Sequence, residues 1–184
     1  MKLVTIALFL SVTACVIHIG PTPAPSPCAI ESLMLDESLF HDAIYQTGPP
    51  SKKGAPMRFG IDKRGVGFTS QTQGGAGQDV YEGRSARQTQ EKFTEIVQFA
   101  FSRRKGYTDW YIPEGLHYQS AVADQMRFGC HRHEASGVEK CQVLSQYEVY
   151  LVRFHVDISS FLTHTDLERL LQTIDTKMAQ CLAN

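Results

Sequence analysis

Two segments of the chain carry hydrophobic residues at the spacing of a helix with one buried face. The first stripe comprises Phe93, Ile96, Val97, Ala100 and Phe101. It follows Ser85 and Gln88, which have the spacing of an N-terminal capping box. Residues 165–168 open the second helix, whose stripe comprises Leu167, Leu170, Leu171, Ile174, Met178, Cys181 and Leu182. We therefore predict two amphipathic helices, and a third over residues 29–46 on a similar but weaker pattern.

Other segments show the patterns of strands and turns. Residues 57–61 and 66–69 flank a polar turn at 62–65, which predicts a hairpin, and the glycine-rich residues 74–77 predict a loop. Apolar residues alternate from Leu116 to Phe128 and again from Leu144 to Ile158, so these two segments are expected to pair as a long antiparallel hairpin. This order predicts an α+β fold, with an antiparallel sheet built from two hairpins and helices packed on one face.

Composition narrows the class of protein. The chain has 184 residues, 42% of them hydrophobic and 20% charged, and a formal net charge of −1. These values are typical of a folded globular protein of one domain. Because the charge is nearly balanced, there is no electrostatic basis for general binding to nucleic acid.

The amino terminus has the pattern of an export signal. One positive residue, Lys2, precedes an apolar run that is too short to span a membrane as a helix, and small residues follow it. The run ends in Val12, Thr13, Ala14 and Cys15, which resembles the lipobox of bacterial lipoproteins. The resemblance implies cleavage before Cys15, a diacylglyceryl thioether on its sulfur and a further acyl chain, such as palmitate, on the new amino terminus. The alternative is an exported protein that is cut nearby without lipidation.

The lipobox resemblance divides the chain into three parts. Residues 1–14 are the expected signal peptide, residues 15–27 the lipidated cysteine and a proline-rich stalk, and residues 28–184 a single α+β domain. Alternating prolines favour an extended polyproline II conformation for the stalk. Val16 occupies the position where aspartate is associated with inner-membrane retention, which favours the outer membrane, with the domain facing the periplasm.

If Cys15 carries lipid, four cysteines remain, and four cysteines allow three pairings. Cys130 and Cys141 lie at the two ends of the predicted hairpin tip, where neighbours across two strands come within disulfide reach. Cys28 and Cys181 would then form the second bond. The alternative is a free buried thiol at Cys181.

Two clusters are candidates for binding. His131 and His133 are two residues apart on an extended segment, so both imidazoles could reach one zinc or copper ion, although a polar, solvent-exposed hairpin tip explains them better. Tyr107, Trp110, Tyr111 and Tyr118 concentrate aromatic side chains that suit either a partner-binding surface or the core.

No catalytic constellation stands out, so we expect a protein that is not an enzyme and carries no cofactor. The leading hypothesis is a membrane-anchored periplasmic lipoprotein that binds an envelope protein as an accessory or assembly factor. The alternative is a lipoprotein that binds a small ligand or a metal. The expected partners are thus the membrane, through the lipid anchor, and an envelope protein, but not nucleic acid.

Overall fold

The computed structural model describes residues 28–41, 44–49, 62–70 and 74–183, which form an antiparallel sheet and two α-helices. The strands are β1 (Ile44–Gln46), β2 (Asp62–Ser70), β3 (Gly75–Glu82), β4 (Gln125–Arg132), β5 (Glu139–Tyr147) and β6 (Tyr150–Ile158). The helices are α1 (Ala86–Ala100) and α2 (His164–Leu182). The predicted signal peptide, Cys15 and the stalk lie outside the described residues.

The sheet consists of two three-stranded halves. Each half is followed along the chain by a helix, and the strand order is β1-β2-β3-β6-β5-β4 with every pair antiparallel. The halves meet where β3 pairs with β6, with Val80 opposite Val152 and Gln78 opposite Phe154. This arrangement confirms the predicted α+β class with an antiparallel sheet.

The two α-helices cover opposite faces of this sheet, so the prediction that helices pack on one face was wrong. The apolar stripe of α2 packs in the larger core with Val80, Val152 and Phe154. The stripe of α1 packs with Tyr81, Leu144 and Leu151, which point to the other side. Successive residues of a strand alternate between faces, so β3, β5 and β6 supply apolar side chains to both helices.

Both amphipathic helices were predicted correctly. Ser85 caps α1 by accepting a hydrogen bond from the Gln88 N–H, while the Gln88 side chain accepts from the Arg84 N–H. In α2 a full capping box joins Thr163 and Asp166. Within the described residues, no helix combines the length and the apolar character needed to cross a membrane.

The helix predicted over residues 29–46 is not formed. The described part of this segment contains two short 3₁₀ turns, Ile30–Leu33 and Glu37–Leu39, followed by β1. The extended backbone of Met34 ends the first turn. Asp36 begins the second, where its side chain accepts the Ser38 N–H. Local capping therefore breaks a helix that the apolar spacing alone would favour.

The hairpins also differ from the predicted ones. Residues 62–65 belong to β2 rather than to a turn. The partner of β2 is β3, which includes Gly75 and Gly77 of the segment predicted as a loop. The alternating stretch from Leu144 to Ile158 is two strands, because Glu148 adopts a left-handed conformation with φ 49° and turns the chain between β5 and β6. Strand β4 begins at Gln125, so most of the predicted strand 116–128 is a connecting segment.

Both predicted disulfides are present. Cys130 and Cys141 are opposite one another on β4 and β5, with 4.0 Å between their Cα atoms. The second bond joins Cys28, at the start of the described domain, to Cys181 near the end of α2. The buried Tyr150 hydroxyl supports the second bond by donating to the Cys28 carbonyl and accepting from the Cys28 N–H.

Gln78 is fully buried and fixes the amino-terminal segment on the sheet. Its side-chain oxygen accepts the Leu35 N–H at 2.6 Å, and its side-chain nitrogen donates to the Leu33 carbonyl at 3.1 Å. Both backbone groups lie in the apolar core, where an unpaired polar group is costly. The amide thus replaces the ladder hydrogen bonds that this irregular segment lacks.

We expect Gln78→Leu to lower the free energy of unfolding by roughly 2–4 kcal/mol, since it leaves two buried backbone groups without partners. Urea denaturation measures the change. Gln98→Leu, at an exposed position of α1, is the matched control and should change stability little. A Gln78→Leu protein as stable as the control would show that the amide does not hold this segment.

Candidate functional site

The chain between α1 and β4 covers the outer edge of the sheet. Tyr111 and Cys130 exchange two backbone hydrogen bonds of 2.8 Å, and the Thr108 N–H donates to the Arg132 carbonyl at 2.9 Å. We call residues 107–118 the aromatic segment. Backbone hydrogen bonds attach it to β4. Covering an edge strand in this way removes a site of unwanted strand pairing.

Gly129 allows aromatic rings to lie directly on β4 beside this edge. A Cβ atom at this position would be 3.2 Å from Trp110 and 3.6 Å from Phe101. The two rings also contact each other, with 4.9 Å between their centroids. The indole N–H of Trp110, the only tryptophan of the chain, donates to the Ser102 carbonyl at 3.2 Å.

His131 is stacked against two aromatic rings. Its ring centroid lies 4.0 Å from that of Trp110 and 4.4 Å from that of Tyr107, with interplanar angles of 13° and 20°. Only 2% of His131 is exposed. The residue is therefore not part of an exposed hairpin tip, because the aromatic segment folds over it.

The buried imidazole lacks a partner for one of its nitrogens. The Nδ1 atom of His131 makes no hydrogen bond to any described residue. Burial, together with the positive charges of Arg104 and Lys140, lowers the pKa of His131 below its usual value of 6.5. An unpaired buried polar atom costs stability, so the fold gains nothing from this nitrogen.

A partly enclosed cleft of about 200 Å³ opens beside His131. We call it the His131 cleft, and its lining residues are Arg104, Trp110, His131, Lys140, Cys141, Gln142, Arg153, His155, Val156 and Asp157. It lies beyond the carboxyl end of α1, where the Ala100 carbonyl accepts a hydrogen bond from Gln142. The face of the sheet that is apolar under α1 thus becomes polar where the helix ends.

The charged side chains of the cleft are mostly positive. Arg104, Lys140 and Arg153 line it, with Asp157 as the single carboxylate in the lining. Lys140 pairs with Asp157 at 2.9 Å, whereas Arg104 makes no ion pair with another described residue. The cleft therefore carries an excess of positive charge.

Neighbouring residues fix the floor of the cleft. Arg153 donates two hydrogen bonds to the Gln142 side-chain oxygen, at 3.0 and 2.6 Å, across the β5–β6 pair. The ring of His155 lies against Gly77 on β3, where a Cβ atom would come within 2.5 Å of it. These contacts hold the polar groups on regular strands, which position side chains more rigidly than loops do.

The four aromatic residues predicted as a partner-binding surface are not brought together. Tyr107 and Trp110 flank His131, whereas Tyr111 and Tyr118 pack against the core under α2. Burial and a hydrogen bond to Asp175 raise the pKa of Tyr118 far above its usual value.

A second, wider groove runs between residues 117–122 and α2, with a volume of about 690 Å³. At its floor Asp175 accepts hydrogen bonds of 2.6 Å from both Tyr118 and Tyr147. Because these buried polar groups satisfy one another, the groove offers less to a ligand than the His131 cleft does.

The two histidines predicted as metal ligands make different contacts, and they do not form a metal site together. The Nδ1 of His133 accepts the Ser136 N–H at 3.1 Å, and the His133 ring contacts Tyr107 edge-on. In the described part of the chain, one group of side chains has ligand atoms close enough for a metal: Cys130, Glu139, Cys141 and His164. The two sulfurs of this group are bonded to each other, and His131 and His133 do not belong to it.

Sequence reasoning found His131 but missed the residues around it. Lys140 and Gln142 on β5, and Arg153, His155 and Asp157 on β6, continue the alternation of Leu144 and Leu151 on the same face. Polar residues on the buried side of two neighbouring strands were the available signal. It could not be used because the turn between the strands was not predicted.

The comparisons with known proteins bear on the fold. No protein-family model and no curated protein matches the chain. A solved structure, that of the extracellular domain of PknH from Mycobacterium tuberculosis, is similar, with a TM-score of 0.57 and 12% sequence identity. The match covers 81% of this chain and 94% of the PknH domain. At this identity the similarity shows a common α+β fold.

The fold defines the class of protein, an α+β domain, and the disulfides indicate the compartment in which it is found. Structural disulfides form and persist in oxidising compartments, and this domain has two of them. The two disulfides therefore indicate a non-cytoplasmic location.

We expect His131→Phe to raise the free energy of unfolding by about 1 kcal/mol, because it keeps the aromatic stack and removes an unpaired buried nitrogen. Urea denaturation followed by circular dichroism measures this. His133→Phe is the control and should lower stability, since His133 accepts a hydrogen bond from Ser136. A loss of stability in His131→Phe would show that the fold requires the imidazole.

Proposed function

We propose that this protein is a non-enzymatic binding protein of the cell envelope, held on a membrane by lipid on Cys15. It recognises its ligand at the His131 cleft. The observation that carries the proposal is a buried, stacked imidazole with an unpartnered Nδ1 beside a positively charged cleft. Such a costly group is typical of a site retained for binding rather than for stability.

The sequence supports the membrane anchor. A signal peptide over residues 1–14 and the lipobox-like residues Val12 to Cys15 precede a proline-rich stalk of residues 16–27. Two or three acyl chains give stable anchoring, whereas one gives only marginal binding. Val16 supports an outer-membrane position, with the domain facing the periplasm.

The ligand is either a small molecule or a short part of an envelope protein. The volume of the cleft suits a small ligand, a side chain or a chain terminus. Exposed apolar residues favour an additional protein contact. Phe99 near the end of α1 is 51% exposed, and Ile112, next to Tyr111 in the sequence, is 56% exposed. The role of an accessory or assembly factor for an envelope complex is consistent with either ligand.

We expect Cys15→Ala to abolish incorporation of labelled palmitate and to release the protein from membranes, because the thioether and the acylated amino terminus both require Cys15. Metabolic labelling followed by membrane fractionation in the native host tests this. Cys28→Ala is the matched control, since Cys28 lies outside the lipobox, and it should still be labelled. Palmitate incorporation into the Cys15→Ala protein would show that the lipobox assignment is wrong.

We expect the tagged, lipidated protein to be crosslinked in native envelopes to one partner in fixed stoichiometry, if the ligand is part of a protein. Arg104→Glu, at the rim of the cleft, should remove that partner, whereas the neighbouring Arg103→Glu should not. Mass spectrometry of the crosslinked material provides the readout. A partner recovered equally with both variants would place the contact away from the cleft.

A further inference from the structure

We propose that the His131 cleft binds an anionic oxygen group, a phosphate or a carboxylate, carried by the ligand. This inference rests on the proposed function, because it names the chemistry recognised at the same cleft. It goes further in committing to the charge of the ligand and to the residues that contact it: Arg104, Lys140, Arg153 and His131.

The balance of charges around the cleft carries the inference. Two cations are already engaged, Lys140 with Asp157 at 2.9 Å and Arg153 with Asp79 at 4.0 Å. Asp79 also pairs with Lys63 at 3.0 Å, so it neutralises Arg153 incompletely. Arg104 has no carboxylate partner among the described residues. A bound anion would supply the missing negative charge.

The hydrogen-bonding groups are those that an anion requires. A guanidinium has five N–H donors and no acceptor. Arg153 uses two nitrogens on Gln142, which fixes its orientation and leaves other donors available. Arginine forks match the geometry of carboxylate and phosphate oxygens. The preorganised Arg153 and the unpaired Arg104 thus offer donors from two sides of the cleft.

His131 adds the second, independent observation. Only 2% of the residue is exposed, and it lines the cleft. Its Nδ1 has no hydrogen-bond partner among the described residues. An imidazole nitrogen that carries a proton is a donor. The fold alone does not explain this unsatisfied polar group in a residue that lines a positively charged cleft, and a site retained for an anion does.

The carboxyl end of α1 offers a competing explanation for the cations. A helix carboxyl terminus has about half a negative charge, which attracts Lys and Arg. That half charge is smaller than the excess of three cations over one carboxylate in the cleft lining. The Ala100 carbonyl already accepts a hydrogen bond from the neutral Gln142. The helix end therefore does not account for this concentration of charge.

The experiment uses the purified lipidated protein in a neutral detergent and follows the fluorescence of Trp110. Because Trp110 is the only tryptophan and stacks on His131, its emission reports directly on the cleft. The probes are inorganic phosphate, glycerol phosphate and acetate, each added at constant ionic strength against chloride. A saturable change is expected with at least one probe and not with chloride.

Two variants and a matched control define the site. Arg104→Gln should weaken the affinity for the saturating probe about tenfold, as expected for loss of one charge-assisted contact. Arg103→Gln removes the same charge one residue away, where Arg103 pairs with Asp109 outside the cleft lining, and should change the affinity less than about twofold. His131→Phe should also weaken binding while the domain remains folded by circular dichroism.

The outcomes separate the inference from the proposed function. Saturation by inorganic phosphate and glycerol phosphate but not by acetate supports the inference and identifies a phosphate group, and the reverse supports it and identifies a carboxylate. Absence of saturation with all three probes, or equal weakening by Arg104→Gln and Arg103→Gln, overturns it. If the probes fail while envelope crosslinking still depends on Arg104, the proposed function stands without the anion. If both fail, both are wrong.

Discussion

The pairing of β3 with β6 is the constraint on which the rest of the molecule depends. It joins the two halves of the sheet through seven paired positions, from Ala76 opposite Val156 to Glu82 opposite Tyr150. The same register directs Gln78 towards the amino-terminal segment and brings Gly77 beneath His155. A shift by one residue would exchange the two faces of the strand. Core packing and the floor of the cleft thus depend on one register.

The fold could be predicted where local sequence determines structure. The stripes of α1 and α2 have a helical period and capping residues, so tertiary contacts reinforce what the sequence already favours. The helix predicted over residues 29–46 was wrong for a local and a distant reason. Asp36 caps a separate 3₁₀ turn, and the Leu35 N–H bonds to Gln78, which is 43 residues away. Glu148 occupies a left-handed turn position that usually favours glycine or asparagine. The turn between β5 and β6 therefore has no recognisable sequence signal.

The candidate site could be predicted only in part, because local sequence determines only part of it. The pairing of Cys130 with Cys141 follows from their places on neighbouring strands, and His131 stood out by its neighbours in sequence. The burial of His131 could not be predicted, because it depends on Tyr107 and Trp110, which lie more than 20 positions earlier in the sequence and fold back over β4. Whether a polar residue is exposed or enclosed is a property of the tertiary structure, and alternation along one strand cannot reveal it.

The disulfide between Cys28 and Cys181 has a mechanical consequence. It fastens the first described residue to the end of α2, whose apolar stripe is embedded in the main core. A pulling force that enters along the chain before Cys28 is transmitted through covalent bonds to α2 as well as to the 3₁₀ turns. The end of α2 would have to leave the core before the amino-terminal segment could detach. The amino terminus of the domain is therefore tied covalently to the main core and not only to a short irregular segment.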